Sequence, residues 1–290
     1  MPIAVIRFTF DPYAQLFGDL TVRWGALALA AVIVAALLSA GLLARAGGLR
    51  TDDVVFIVVG VVPGAVIGGR IGYLLLHASF FGPDPGRLLD PAVGGMELGL
   101  AVVGGSLTGA YVASLLGAPV GRWLHVAAAP VLLALGAGKL TMVLTGSGQG
   151  LPSDAAWATA YLPPGPWGSL VPALPSVPSQ SFEGIATLGI LAVLALALVL
   201  GAFGRRDGLA FFVAIGLWAV ARAFVSTTWR DPVVAGGLNA GGLIAAGIAV
   251  GCAIALVILT LRRHGMVGGA RSAEAGTELA WPDPETRPPF

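Results

Sequence analysis

Hydrophobic and polar positions along this chain separate into long apolar runs and short polar breaks, with no sustained alternation that would suggest strands. Seven runs, over about 22–43, 54–76, 92–116, 125–144, 185–203, 209–228 and 233–261, approach the length of a spanning helix. A helix rising 1.5 Å per residue needs about 20 apolar residues to cross a hydrocarbon core of roughly 30 Å, more when it tilts. The pattern therefore predicts an all-α, polytopic membrane protein with about seven transmembrane helices. If the runs alternate in direction, Arg45, Arg50, Arg122, Arg205, Arg206, Arg262 and Arg263 all fall on one face. Basic residues mark the cytoplasmic side, so the segments 77–91 and 145–184 and the turn at Arg230 and Asp231 are predicted outside. The 145–184 segment is rich in Pro, Gly, Trp and Tyr and carries Asp154 as its only charge before Glu183. Amphipathic aromatics favour the headgroup interface, so it reads as an outer loop or cap over a membrane domain of 1–263; a plain linker is the alternative. Residues 264–290 are polar, with several prolines near the end, and are expected to form a disordered cytoplasmic tail.

Composition agrees and removes other classes. Hydrophobic residues make up 57% and charged residues 11%, against about 25% charged in an ordinary soluble domain; mean hydropathy is +0.89. One cysteine, Cys252, and three scattered histidines provide neither a disulfide framework nor a metal site, and nothing suggests nucleic acid or a cofactor. The N-terminus lacks a basic region followed by an apolar core, so a cleaved signal peptide is not expected.

Charges inside the apolar runs are the candidate chemistry. Lys139 interrupts the run 126–144, and Arg70, Glu97, Glu183 and Arg222 lie within or at the edges of others, with Arg230 just beyond the sixth. A Lys or Arg at mid-membrane costs about 2.5–3.5 kcal/mol on insertion scales, so such groups pair or line a site. Three cations against two carboxylates leave a positive surplus, which an anionic phospholipid headgroup would neutralise: guanidinium forks suit a phosphate bidentately, and Lys supplies a point charge. Structural ion pairs, such as Arg70 with Glu97, are the alternative, and Lys139 alone could snorkel to the headgroups. Glycines flank several of the charges, as in Gly68-Gly69-Arg70, Gly94-Gly95-Met96-Glu97 and Gly138-Lys139. Small residues there permit close helix approach or a ligand against the backbone.

An ordered set of motifs resembles the bacterial prolipoprotein diacylglyceryl transferase family over nearly all of residues 3–262. IRFTFDP and TVRWGAL look like its N-terminal arm and first-span entry; GGRIGYLLLH from Gly68 looks like its GARLGY segment. GGMELGLAVVGGSLTG from Gly94 stands at its glycine-rich signature, and GAGKLTMVLTGSGQG from Gly136 is similar to its GRxGNxxN segment. PSQSFEG from Pro178 is close to PSQLYE, and ARAFVSTTWRDP from Ala221 resembles RFxxExxRxPD. The resemblance implies a bacterial inner-membrane enzyme that moves the diacylglyceryl group of phosphatidylglycerol to a lipobox cysteine thiol of a prolipoprotein, releasing glycerol phosphate. Carried over by position, Arg70, Tyr73, Lys139, Gln180, Arg222 and Arg230 become phospholipid-binding candidates, and Glu183 a catalytic one. The family's signature histidine is absent, replaced by Gly99 in an ungapped alignment or Val103 when anchored on the following glycines; neither accepts a proton. Met142 and Thr145 stand for the family's asparagines, Lys139 for its arginine and Ser226 for an acidic residue. Glu97 and His77 are the replacement candidates for the general base. A catalytically silent member that binds anionic phospholipid or a lipoprotein partner is the alternative function; a transporter has little support without an inverted repeat.

Overall fold

The computed structural model describes residues 5–78 and 93–278, and only the backbone of 263–278. Among the described residues, seven α-helices form the body: α1 Trp24–Ala46, α2 Thr51–Leu76, α3 Leu98–Leu115, α4 Val120–Thr141, α5 Ser179–Val199, α6 Leu209–Ser226 and α7 Ala240–Glu278. Each contains a stretch long and apolar enough to cross a membrane, with α7 qualifying over Ala240–Arg262. The chain is a multi-pass membrane protein, and its lipid-facing residues are accordingly apolar and exposed, such as Leu42, Leu75 and Val199.

Span starts differ from the hydropathy reading wherever a polar turn or cap intervenes. The third helix begins at Leu98 rather than near 92, because Gly94 takes φ +93° and Glu97 caps the helix start. The fourth starts at Val120, after Pro119, and ends in a 3-10 turn, Met142–Thr145. The fifth begins six residues earlier than its apolar run, at Ser179, which puts Gln180 and Glu183 on helical backbone. Residues 233–239, assigned above to the last span, instead form a hairpin of β5 (Val233–Ala235) and β6 (Leu238–Asn239), whose turn uses positive φ at Gly236 and Gly237. At the other end α7 continues to Glu278, past the point where an unstructured tail was expected. No proline occurs between Val233 and Pro282, so the backbone has no forced stop there. Residues 279–290 lie outside the described region.

Short strands, which hydropathy did not predict, all lie on the face opposite the arginine-rich one. β1 (Ile6–Phe8) runs parallel to β4 (Thr159–Tyr161), joining the N-terminal arm to the 145–184 segment. β2 (Tyr13–Phe17) and β3 (Leu20–Arg23) form a hairpin leading into α1. The 145–184 segment is folded upon itself and onto the helix ends: Gly150 donates to Val177 O at 2.7 Å, and Leu151 to Thr228 O at 2.8 Å. Tyr161 is fully buried in it, stacked on Phe8 at 4.8 Å and tilted against Trp167 at 5.0 Å.

Two kinds of helix contact position the site. Gly60, Gly64, Gly68 and Gly72 recur every fourth residue on α2 and face α3. A Cβ on Gly64 would lie 2.4 Å from Gly104 O, and one on Gly104 would lie 2.1 Å from Gly64 O, so the two backbones touch. The main core lies elsewhere, where Ala128 and Leu132 of α4 meet Ala210, Ala214, Ile215 and Trp218 of α6.

Candidate functional site

The start of α3 carries the first charged group. Glu97 accepts hydrogen bonds from the amides of Gly99 at 2.7 Å and Leu100 at 2.6 Å. Helix starts leave four amides unpaired and carry a partial positive charge, so a carboxylate is well placed there. The Glu97 amide donates to Gly69 O of α2 at 2.8 Å, which fixes this cap against the glycine-rich helix pair.

Arg222 approaches from α6 and bridges two carboxylates. Its Nη2 lies 3.1 Å from Glu97 Oε1, and its Nη1 donates to Glu183 Oε1 of α5. Glu183 Oε2 is in turn 3.0 Å from Lys139 Nζ of α4, an ion pair lacking hydrogen-bond alignment. Helices α3, α6, α5 and α4 are thereby linked in one alternating row, Glu97–Arg222–Glu183–Lys139. Glu97, Glu183 and Arg222 are nearly fully buried, while the Lys139 side chain keeps 18% of its surface accessible. Indole rings cover the cations: Trp229 lies 4.7 Å from the Arg222 guanidinium and 5.9 Å from Lys139 Nζ, and Trp218 lies 5.8 Å from Arg222. Breaking such a row by removing one member leaves an uncompensated buried charge, at about 3–5 kcal/mol.

The positive surplus expected from the sequence is therefore absent within this row, where two cations face two carboxylates. Glu97 pairs with Arg222; the Arg70 bond seen here goes to Val93 O at 2.6 Å. Arg230, over the outer end, donates to Gly150 O at 2.7 Å and Ser176 Oγ at 2.8 Å, both uncharged partners. Tyr73 packs under the glycine turn before Glu97, since a Cβ on Gly94 would lie 2.4 Å from its ring. His77 stacks on Tyr73 at 4.1 Å, with Nδ1 3.0 Å from Tyr73 O. A carbonyl only accepts, so this contact selects the tautomer with the proton on Nδ1, the one that leaves Nε2 its lone pair.

Unmet hydrogen-bonding capacity gathers around the row. Arg222 Nε, Gln180 Oε1 and Gln149 Oε1 are buried without a partner, and groups of this kind require explanation in a native structure. Gln180 directs Nε2 at the Tyr161 hydroxyl, 3.4 Å away, and Gln149 donates Nε2 to Thr159 O at 2.8 Å. Burial pushes the Tyr161 phenol up to about 12, with the Gln180 bond acting weakly the other way, so it remains a neutral hydroxyl.

Below the charged row lies an apolar cavity of about 560 Å³, within the 300–1,000 Å³ typical of ligand pockets. Leu98, the residue after Glu97, lines it, and it extends along α3 to Ala113 and across α4 to Trp123. Charge at one end and apolar length beneath it suit a molecule with an anionic head and hydrocarbon chains. Among the described residues, no cluster of His, Cys, Asp and Glu could hold a metal ion.

At Gly99, a Cβ would sit 3.0 Å from Ile248 Cδ1 and 3.1 Å from both Glu97 oxygens, so a side chain there would press on the Glu97 carboxylate and Ile248. Ser226 is likewise confined against Gly242 of α7 and donates to Ala223 O at 2.7 Å. Sequence reasoning missed Trp218, Trp229, Gln149 and Tyr161. One signal was present: Trp218, Arg222 and Ser226 repeat every fourth residue and therefore share a face of α6.

Comparison with known proteins places the chain in a family context. The family model for prolipoprotein diacylglyceryl transferase matches residues 12–259. The chain is 32% identical to the phosphatidylglycerol–prolipoprotein diacylglyceryl transferase of Geobacter sulfurreducens, over 80% of this chain and 86% of that protein. It is 29% identical to the protein of that name from Nitrobacter hamburgensis, over 96% of each chain, and 24% identical to that of Nostoc sp., over 87% and 91%.

Proposed function

The chain belongs to the prolipoprotein diacylglyceryl transferase family, and from that premise we propose that it transfers diacylglyceryl from phosphatidylglycerol to the thiol of a lipobox cysteine. The membrane would be the bacterial cytoplasmic membrane, with the site on its outer side and the acceptor a prolipoprotein signal peptide. The observation that carries the reading is the Glu97–Arg222–Glu183–Lys139 row set directly above the apolar cavity.

In this reaction the thiolate sulfur attacks the glyceryl carbon that bears the phosphate ester. A carbon–sulfur bond forms, the carbon–oxygen bond breaks, and glycerol phosphate leaves with the electron pair. Thiolate is the reactive form of cysteine, so a base must take the thiol proton. Negative charge grows on the departing phosphate, and cations fixed beside it lower the barrier without reorganising. Lys139 and Arg222 supply that charge, and Glu97 and Glu183 hold them in place. The unpartnered Nε of Arg222 offers a further donor. Gln149, Gln180 and the Tyr161 hydroxyl surround the outer end, where the glycerol headgroup would lie. Of the three candidate bases, Glu97 meets two amides and Arg222, and Glu183 meets Arg222 and Lys139. His77 keeps Nε2 as an acceptor and is our assignment for the base.

A second reading, a silent member that retains anionic lipid, is favoured by one observation: the row neutralises itself. Incubating purified protein with phosphatidylglycerol and a lipobox peptide separates the two. Thioether product that His77→Gln reduces at least a hundredfold supports the transferase with this base. Product unaffected by His77→Gln but removed by Glu97→Gln moves the base to Glu97. Retained phosphatidylglycerol with no product from the unaltered protein leaves the silent reading.

A further inference from the structure

The arginine-rich face has a cavity that the transfer reaction does not use. It holds about 300 Å³ between the end of α1 (Leu43, Ala46, Gly47), the second and third turns of α4 (His125, Val126, Ala129), Leu198 of α5 and the loop 201–206. Its wall is divided by chemistry. Leu43, Val126, Ala129 and Leu198 make an apolar wall, with Ala129 the deepest along its helix, whereas His125 and Arg206 add polar groups at the end nearer the basic face. His125 Nδ1 is buried without a hydrogen-bond partner.

The loop that brings Arg206 to this cavity is unusual. Phe203 at φ 60° and Arg206 at φ 49° both take the left-handed conformation, although neither is glycine. That region costs an ordinary residue about 1–2 kcal/mol, and strained residues persist where surrounding structure holds them. Here the loop is pressed onto α4: a Cβ on Gly121 would lie 2.9 Å from the Asp207 carbonyl, leaving no gap between them. Asp207, the acidic group within electrostatic reach of His125, turns its Oδ1 toward the Leu209 amide at the start of α6, 3.4 Å away. His125 and Arg206 are thus held side by side at the depth where α1 ends and α4 begins.

We propose that this cavity is a second lipid site, taking the phosphate of an anionic phospholipid from the leaflet opposite the transfer site. The positive-inside rule makes this face cytoplasmic, and the cytoplasmic leaflet presents anionic headgroups. Arg206 offers a guanidinium fork and His125 a ring donor to the phosphate, while the wall formed by Val126, Ala129 and Leu198 takes the first carbons of the acyl chains. A free phosphate ion would use only His125 and Arg206; the apolar wall of Leu43, Val126, Ala129 and Leu198 is what favours a lipid.

The test is native mass spectrometry of the full chain released from nanodiscs of phosphatidylcholine containing phosphatidylglycerol. The unaltered protein should carry two phosphatidylglycerol molecules, one per site. His125→Gln with Arg206→Gln should carry one, with affinity at the second site weakened about tenfold or more for the lost charge-assisted bonds, and with transfer activity unchanged. Arg222→Ala should lose the other molecule, so failure of the transfer-site reading is read separately. Arg206→Glu alters an exposed side chain, leaves the bundle's interior intact and should also remove the second lipid. Two lipids on both variants, or never more than one on the unaltered protein, would overturn the proposal. Displacement of the second lipid by millimolar inorganic phosphate would overturn the lipid assignment in favour of a phosphate ion site.

Discussion

The α2–α3 pair and the α4–α5–α6 group are both helix contacts within one bilayer, but they are held by opposite means. In the first, backbone meets backbone at Gly64 and Gly104, and the contact depends on the absence of side chains. In the second, helices are joined by long charged side chains, with Arg222 reaching α3 and α5 at once. Hydrocarbon gives no hydrophobic drive to helix association, so close packing and polar links must supply it, and this molecule assigns each to a different place. The first contact can be broken only by adding atoms, the second by removing or neutralising them. The rigid pair also serves the polar one, because Gly69 O holds the Glu97 amide at the cap.

Four variants, the first with a compensating change, test that contrast in order of decreasing effect. Arg222→Ala should cost about 3–5 kcal/mol by taking the cation from buried Glu97 and leaving Glu183 only Lys139, and lower transfer by about 10²–10³ for one lost donor to developing charge. Adding Glu97→Gln, which leaves the Glu183–Lys139 pair intact, should recover much of the thermal stability without restoring turnover; if stability does not recover, the Glu97–Arg222 pair is not what links these helices. Gly104→Val should destabilise by about 3 kcal/mol, at the upper end for overpacking, because the obstructing atom is a backbone oxygen. Size-exclusion recovery after mild heating reads this, and normal recovery would mean that the α2–α3 spacing adapts. Lys139→Arg keeps the charge and adds a fork; we expect stability within about 1 kcal/mol and a rise in transfer rate if phosphate binds there. Gly189→Ala is the small extreme: no atom lies within 4 Å of a Cβ at that site, so it should stabilise the helix by no more than about 1 kcal/mol.

The same contrast explains what could be read in the sequence. Seven spans and the shared face of Arg45, Arg122 and Arg205 followed from the length of apolar runs, because a bilayer imposes one scale on every helix. Span ends were harder, since Ser179-Gln180-Ser181 is too polar to count as apolar but forms the first turn of α5. Charges inside the spans identified Lys139, Glu183 and Arg222, whereas their partners depended on rotation of each helix, which hydropathy does not report. Glu97 is the clearest case: its place two residues before Gly99, where the family's histidine would stand, suggested a base, while in the structure it is a helix cap and the end of an ion-paired row. Gln149 and Tyr161 were not legible at all, because they act through the fold of an irregular segment with no period.

One consequence concerns the order of assembly. Ile6 and Thr159 are partners in the parallel β1–β4 ladder although more than half the chain separates them. Four helices lie between these strands, so the arm emerges early in synthesis and has no partner until the last of those helices has crossed. Closing so long a loop is an intrinsically late event in folding. The arm thus acts as a timing device: the outer cap can be fastened only after the first four spans are in place, and a chain arrested before residue 159 would hold them without a finished roof.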